Sequence, residues 1–205
     1  MKSALICFHK NVARYPNNWI ERYKESILNQ TCTNFDIFEL NYGGESQRIF
    51  NSSNFISIPL KDHAEAHNYL LRYCFDRDYD LIFNTNVDDY YPLDRIEKQI
   101  NSFDPSVSVS SGNYIGFSDD NVKYNSTFFH RLSIDEEFSK NHNIIAHPAC
   151  CYSRKITEYG DFLISSEIPA DDFFLWKRLL LKGAKFKIIP DVLLYYRISD
   201  LKTNL

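Results

Sequence analysis

The chain has 205 residues, of which 44% are hydrophobic and 16% aromatic, with a formal net charge of −4 and a pI near 5.9. That is enough apolar material for one large domain, read here as 1–205, and the acidic balance excludes a basic surface for nucleic acid or anionic membrane. No apolar run is long enough for a transmembrane span, the N-terminus carries no secretory pattern, and the expected location is cytoplasmic.

Ser3 to Phe8 reads as a short buried strand. A polar connection with Pro16 follows, and Trp19, Ile20, Tyr23 and Ile27 then recur at helical spacing, with Gln30 near the helix end. Phe35 to Leu40 is a second strand, ending in the turn Asn41-Tyr42-Gly43-Gly44. Asn41 to Asn54 shows little apolar periodicity and reads as loop or short helix. Phe55 to Leu60 is a third strand, and Ala66, Tyr69, Leu70 and Tyr73 mark a second helix. Asp80 to Tyr91 begins as a fourth apolar strand and ends in the acids Asp88 and Asp89. Pro92 then opens a helical pattern with Leu93, Ile96 and Ile100 on one face. Strands alternating with helices predict an α/β fold: a mostly parallel sheet with its crevice at the carboxyl edge.

The second half is less regular. Ser106 to Ser111 alternates Val107 and Val109 with serines, as a half-exposed strand does. Ser118 to Asn121 reads as a turn, and Asn125 to Asn143 as a polar, mobile loop. Asn143 to Tyr152 is expected to return to the sheet, followed by a short helix from Arg154 to Tyr159 stopped by Gly160. Asp171 to Lys182 is the clearest helix, with Asp171 as a candidate N-cap, Leu175 and Leu179 on one face, and Gly183 as the stop. Phe186 to Ile189 and Val192 to Tyr196 read as two short strands around Pro190-Asp191.

The five cysteines, Cys7, Cys32, Cys74, Cys150 and Cys151, form no Cys-X-X-Cys pair, which fits reduced thiols better than a disulfide framework or a zinc site. Asp88 and Asp89 at a strand end suit a hard divalent cation, though acids before a helix start are common by themselves. Asp171 and Asp172 open a helix whose dipole keeps a carboxylate ionised, as a general base requires, although capping accounts equally for Asp171. His63 and His67 are four residues apart but lack a third nitrogen or sulfur ligand, so zinc is rejected; a helix start bearing His67 can instead meet a phosphate. His147, before Pro148, reads as structural. Tyr195, Tyr196 and Arg197 could face an anion, although aromatic residues on a late strand are more often core.

Together these passages resemble a family 2 glycosyltransferase, a nucleotide-sugar-dependent, inverting enzyme of the GT-A fold. Ser26 to Thr31 followed by Asn34 to Ile37 is similar to the family's first helix and second strand. Asn86 to Pro92, with Arg95 to Gln99, resembles its Asp-X-Asp-Asp segment and following helix. Ala170 to Arg178, Lys182-Gly183 and Leu193 to Ile198 resemble its Glu-Asp motif, Leu-Trp-X-Arg helix and Tyr-Tyr-Arg segment. The resemblance spans nearly the whole chain. It implies a GT-A sheet with helices on both faces and a smaller acceptor-side β region. Residues 1–105 would form the nucleotide-sugar half and 106–205 the acceptor and base half.

The resemblance also implies roles. Phe8 and Asn41 would contact the nucleoside base, while His67 and Asn68 would lie near the diphosphate. Asp88 would bind Mn2+ or Mg2+ bridging that diphosphate, assisted by Asp89, and Arg197 would belong to the donor site. Asp172 would be the catalytic base, with Asp171 at the usual glutamate position. The donor would be a UDP-sugar and the acceptor a hydroxyl of a glycan or other molecule, in polysaccharide biosynthesis. Three positions depart from the pattern: Asn86 replaces the first acid of Asp-X-Asp, Asn41-Tyr42 replaces a pair of aspartates, and Ser199 stands where a histidine often follows. A compact enzyme and one domain of a longer polypeptide both remain open. So do a two-carboxylate glycoside hydrolase and a non-catalytic nucleotide-sugar or carbohydrate-binding module of the same fold. Nucleotidyl transfer lacks its usual Gly-rich, basic N-terminal loop.

Overall fold

Within Ser3–His9 (β1), Ala4 to Phe8 are apolar without a break, as befits a strand covered on both faces. The computed structural model describes residues 1–51, 54–118, 124–128, 134, 138, 142–160, 164 and 171–198, with the side chains of 124–128 and 171 outside that description. Beyond β1 its main elements are α1 (Asn17–Leu28), β2 (Asp36–Asn41), β3 (Asn54–Ser57), α2 (His63–Phe75) and β4 (Leu81–Asn84). There follow α3 (Arg95–Asn101), β5 (Val109–Phe117), β6 (Tyr124–Phe128), β7 (Cys151–Ser153), α4 (Asp171–Leu181) and β8 (Phe186–Arg197).

One eight-stranded sheet contains all of these strands, in the order β3-β2-β1-β4-β7-β5-β6, with β8 added on β5. β3, β2, β1 and β4 form a continuous parallel block. β7 is antiparallel to both β4 and β5, while β8 is parallel to β5. The pleat sends alternate side chains into two layers. Ala4, Ile6 and Ile82 pack with Ala66, Leu70 and Cys74 of α2 and with Leu175, Trp176 and Leu179 of α4. Leu5, Cys7 and Phe83 pack with Ile20, Tyr23 and Ile27 of α1 and with Ile96 of α3. Cys150 and Cys151, adjacent in sequence, therefore enter opposite layers, and all five thiols are free. No helix among the described residues is long and apolar enough to cross a membrane.

The strand-helix alternation of the first half is as expected, and the differences have local causes. α3 begins at Arg95, and Leu93 is 50% exposed on the turn before it rather than on the buried face. β5 is longer than the half-exposed strand expected at 106–111, and Ser108 and Ser111 are buried, because β7, β6 and β8 all pair with this region. Tyr124–Phe128 is strand β6, where a loop was expected. Cys151–Ser153 does return to the sheet, after a 3-10 turn at His147–Ala149. Phe186–Arg197 is one strand, not two. The register shift around Asn113 absorbs Pro190-Asp191, and Asn113 Nδ2 donates to Pro190 O at 2.8 Å. Gly160 (φ 76°) ends its 3-10 turn and Gly183 (φ 84°) follows α4, both at angles that favour glycine. The turn expected at Ser118 to Asn121 lies, beyond Ser118, outside the described residues.

Candidate active site

β1, β2 and β4 are parallel and in register, so His9 lies opposite Asn41 and Ile6 opposite Asn84. Their carboxyl ends therefore share one edge, where an open α/β sheet leaves a crevice. A cleft of about 590 Å³ opens there, lined by Phe8, Tyr15, Tyr42, His63, Asn86, Asp88, Tyr114, Asn143, His147, Asp172 and Tyr196, among others.

Asp88 is held from its backbone. Past Asn84, Thr85 leaves the sheet but its Oγ1 donates to Ile6 O (2.7 Å), so the β1 edge stays paired. Asn86 N donates to the Tyr91 hydroxyl (2.8 Å), and Asp89 N closes a turn onto Asn86 O (3.3 Å). Tyr90 and Tyr195 exchange backbone hydrogen bonds (3.3 and 2.9 Å), tying this turn to β8. Arg197 Nε donates to Asp88 O at 2.6 Å. Gln30, just past α1, donates to Pro92 O (2.8 Å) and accepts from Ile96 N (3.1 Å), fixing the start of α3. With its backbone clamped, Asp88 presents its side chain to the cleft.

Asp172 reaches the same cleft from α4, which is seated by fully buried Leu175, Trp176 and Leu179. Its Oδ1 accepts from the amide of Phe173 (2.8 Å) and its Oδ2 from Asn143 Nδ2 (3.2 Å). Asp171 opens the helix, and its side chain lies outside the described residues.

Several expected donor contacts lie off the lining. Asp89 is 1% exposed and its Oδ1 accepts from Arg197 N (2.9 Å), so this carboxylate builds the loop rather than facing the cleft. Arg197 is equally buried, its guanidinium over the rings of Trp19 (4.0 Å) and Phe117 (4.5 Å). Asn41 is fully buried, and its amide shapes the following turn by donating to Gln47 O (3.2 Å) and accepting from Gly43 N (2.9 Å). The aromatic ring of the next residue, Tyr42, takes the place on the wall. Asn68 uses both ends of its amide on the backbone of Ile164 (2.8 and 3.0 Å). His67 is fully buried behind His147, which the sequence marked as structural and which the fold places on the cleft wall.

The structure thus brings Phe8, Asp88 and Asp172 together, and leaves Asn41, His67, Asn68, Asp89 and Arg197 off the lining. It adds Tyr15, Tyr114, Asn143, His147 and Tyr196, which sequence reasoning did not place on a common wall. For Tyr196 the alternation along β8 was an available signal; for Tyr15 and Tyr114 there was none, because neither belongs to a motif.

Burial first, and then the negative field of Asp88, pushes the Tyr15 phenol up, so it remains a neutral hydroxyl in the cleft. Burial, followed by Asp62, raises Tyr42 in the same direction. Burial first, and then His147, pushes the His67 imidazole down, so it is neutral. Among the described residues no group of three His, Cys, Asp or Glu side chains is placed to hold a metal ion. One cleft-facing carboxylate still fits Mg2+ or Mn2+ in the manner of ions that take most of their shell from phosphates and water. Asp88 is the residue that would hold it, with Asn86 beside it on the lining.

No protein-family model matches the chain, and no curated protein matches it in sequence. Solved structures match its fold. S. aureus TarS aligns with a TM-score of 0.68 at 15% identity, over 97% of this chain and 37% of that one. TarS 1-349 in complex with UDP gives 0.69 at 15% identity, over 97% and 61%. The mannosyltransferase PcManGT from Pyrobaculum calidifontis, in complex with GDP-Man and Mn2+, gives 0.65 at 13% identity, over 97% and 57%. Identities this low establish a shared fold. The chain spans less than two thirds of each of these proteins. The architecture is the α/β, GT-A type: a mostly parallel sheet between helices on both faces.

Proposed function

We propose that this chain is an inverting glycosyltransferase that moves a sugar from a nucleotide diphosphate donor, a UDP-sugar, to a hydroxyl group of a glycan or other acceptor. The observation that carries this reading is the meeting of Asp88, from the loop after β4, and Asp172, from α4, on one cleft at the carboxyl edge of the sheet. The fold shared with a UDP-bound protein and a GDP-Man-bound mannosyltransferase supports it.

The division of labour follows from the chemistry. Phe8, Tyr15 and Tyr42 supply aromatic surface for a nucleobase at the β1 and β2 side. Asp88 would hold a divalent cation, which when bound supplies positive charge to the leaving diphosphate. Asp172 takes the proton of the acceptor hydroxyl. The acceptor oxygen bonds to the anomeric carbon from the face opposite the diphosphate, and the broken bond's electron pair leaves on the nucleoside diphosphate. Attack from that face inverts the anomeric centre. Asn143, bonded to Asp172 Oδ2, orients the base. In this reading residues 1–105 form the donor half and 106–205 the acceptor half.

The test is Asp172→Asn. General-base removal is expected to lower turnover by about 10²–10⁴-fold while donor affinity, by calorimetry, stays within about twofold. Transfer at the wild-type rate would remove Asp172 from the base role. A free sugar released from a glycoside, with no nucleotide sugar required, would favour hydrolysis instead.

A further inference from the structure

We propose that His147 is the side chain through which the cleft grips the diphosphate of its donor, and that His67 is a positioning residue that holds the His147 ring. This rests on the nucleotide-sugar reading above and assigns a contact within it.

Charge points to a histidine. A diphosphate needs donors or cations around it, yet among the described residues no lysine or arginine lines the cleft. Arg197 is spent on Asp88 O and two aromatic faces. Among the described residues, the lining side chains that can carry positive charge are His63 and His147. His63, the first residue of α2, is exposed. His147 is half-buried and held from several sides.

That hold is built from both backbone and ring contacts. Asn84 Nδ2 donates to His147 O (2.9 Å), pinning its backbone over the end of β4. The 3-10 turn closes with Ala149 N on Ala146 O (2.9 Å) and Cys150 N on His147 O (3.1 Å), and Pro148 stiffens it. The ring meets Trp176 of α4 edge-on at 5.7 Å and His67 of α2 at 4.8 Å. His147 therefore stands where the elements carrying Asp88 and Asp172 converge. A ring fixed before the ligand arrives loses little rotamer freedom on binding.

His147 and His67 form an imidazole pair. Nε2 of His147 and Nε2 of His67 are 3.3 Å apart, so a single proton lies between them: one nitrogen donates and the other accepts. His67 is itself wedged between Phe8 (5.9 Å) and Tyr152 (5.5 Å) and is fully buried, so it cannot reach the cleft. Its contact selects the orientation and tautomer of the ring in front of it, as the partner of one ring nitrogen does for the other.

The experiment measures binding of UDP and GDP, with uridine and guanosine as base-only probes, to wild type, His147→Gln and His67→Phe. Each titration is run with Mn2+ and with chelator. His147→Gln is expected to weaken the bound nucleoside diphosphate about tenfold to a hundredfold, the scale of a lost charge-assisted hydrogen bond, and to leave the nucleoside unchanged. His67→Phe keeps a ring in place and is expected to weaken the diphosphate by about threefold or more. It should also change the tautomer pattern of His147 in 15N-histidine spectra. UDP or GDP should shift the His147 ring nitrogens in the wild type, a readout that survives if either variant fails to fold. Failure of the wild type to bind any nucleoside diphosphate would refute the functional reading itself. Binding by wild type with no His147 shift, or equal diphosphate affinity in His147→Gln, would refute the phosphate contact. Equal loss of nucleoside affinity would assign His147 to the base instead. An unchanged spectrum and affinity in His67→Phe would refute the positioning role.

Discussion

Replacing Glu39 tests how the β2 side of the cleft is braced. Glu39 sits in β2 opposite Cys7, fully buried. Its carboxylate accepts from His9 Nε2 (2.9 Å), from Phe50 N (3.0 Å) and from Ile49 N. It thereby fastens the end of the 44–50 segment, whose Gln47 O in turn holds the Asn41 amide beside the cleft. Hydrogen bonds to a charged group contribute about 1.5–3 kcal/mol each, while burying the ion carries a desolvation cost of its own. Glu39→Ala removes the acceptor of two backbone amides and a histidine at once, so a loss of about 3–5 kcal/mol is expected. That is a large share of the roughly 5–15 kcal/mol that stabilises a domain. Glu39→Gln keeps one acceptor oxygen and should lose about 1–2 kcal/mol. Urea unfolding followed by circular dichroism gives both values. A loss below about 1 kcal/mol in Glu39→Ala, with an unchanged denaturant slope, would refute the brace. The pH dependence has a definite sign. Burial raises the Glu39 pKa, but the bonds from His9, Phe50 and Ile49 outweigh it and leave the pKa lowered. The folded state therefore binds this proton less readily than the unfolded chain. The stabilisation is present above the ordinary carboxylate pKa and is lost as the pH falls through the lower folded value. Glu39→Gln should show a flatter acid limb than the wild type.

Arg197→Met removes the tie to Asp88 O and the guanidinium stacked on Trp19 and Phe117. It should cost about 2 kcal/mol or more and weaken donor binding, read by thermal melting and calorimetry; unchanged donor affinity would show that the Asp88 loop stands without it. In Gly112→Ala the new Cβ would lie 2.5 Å from Leu193 Cγ and 3.0 Å from Asp191 O at the β5–β8 register shift. A loss of about 1–3 kcal/mol is expected from that overpacking, and a neutral result in urea unfolding would mean β8 can shift freely. Chelation should lower transfer by the wild type, and Asp88→Asn should raise the Mn2+ concentration needed for half-maximal rate; transfer undiminished after complete chelation would remove Asp88 from the metal role.

Local structure was legible in the chain because it depends on neighbours in sequence. The apolar run of β1 and the helical spacing of Trp19, Ile20, Tyr23 and Ile27 predict their elements correctly, since period and burial are local consequences of backbone geometry. Asp88 and Asp172 stood out as candidates because each stands at the boundary of a well-patterned element. β8 was misjudged for the opposite reason: Pro190-Asp191 breaks a local pattern, and its continuity depends on the register shift opposite it in β5.

By itself, the sequence determined an α/β alternation and the ends at which acids emerge. Side-chain direction was decided only by tertiary structure. Asp88 and Asp89 are adjacent and chemically alike, yet the turn closed onto Asn86 O and the Arg197 amide direct Asp89 into the protein while Asp88 faces the cleft. His67 and His147 are eighty residues apart, yet their Nε2 atoms lie 3.3 Å from each other, and it is the second that reaches the wall. A sequence pattern records what each residue can do, but which atoms meet depends on contacts between elements far apart in the chain, and the register of the strands sets those contacts.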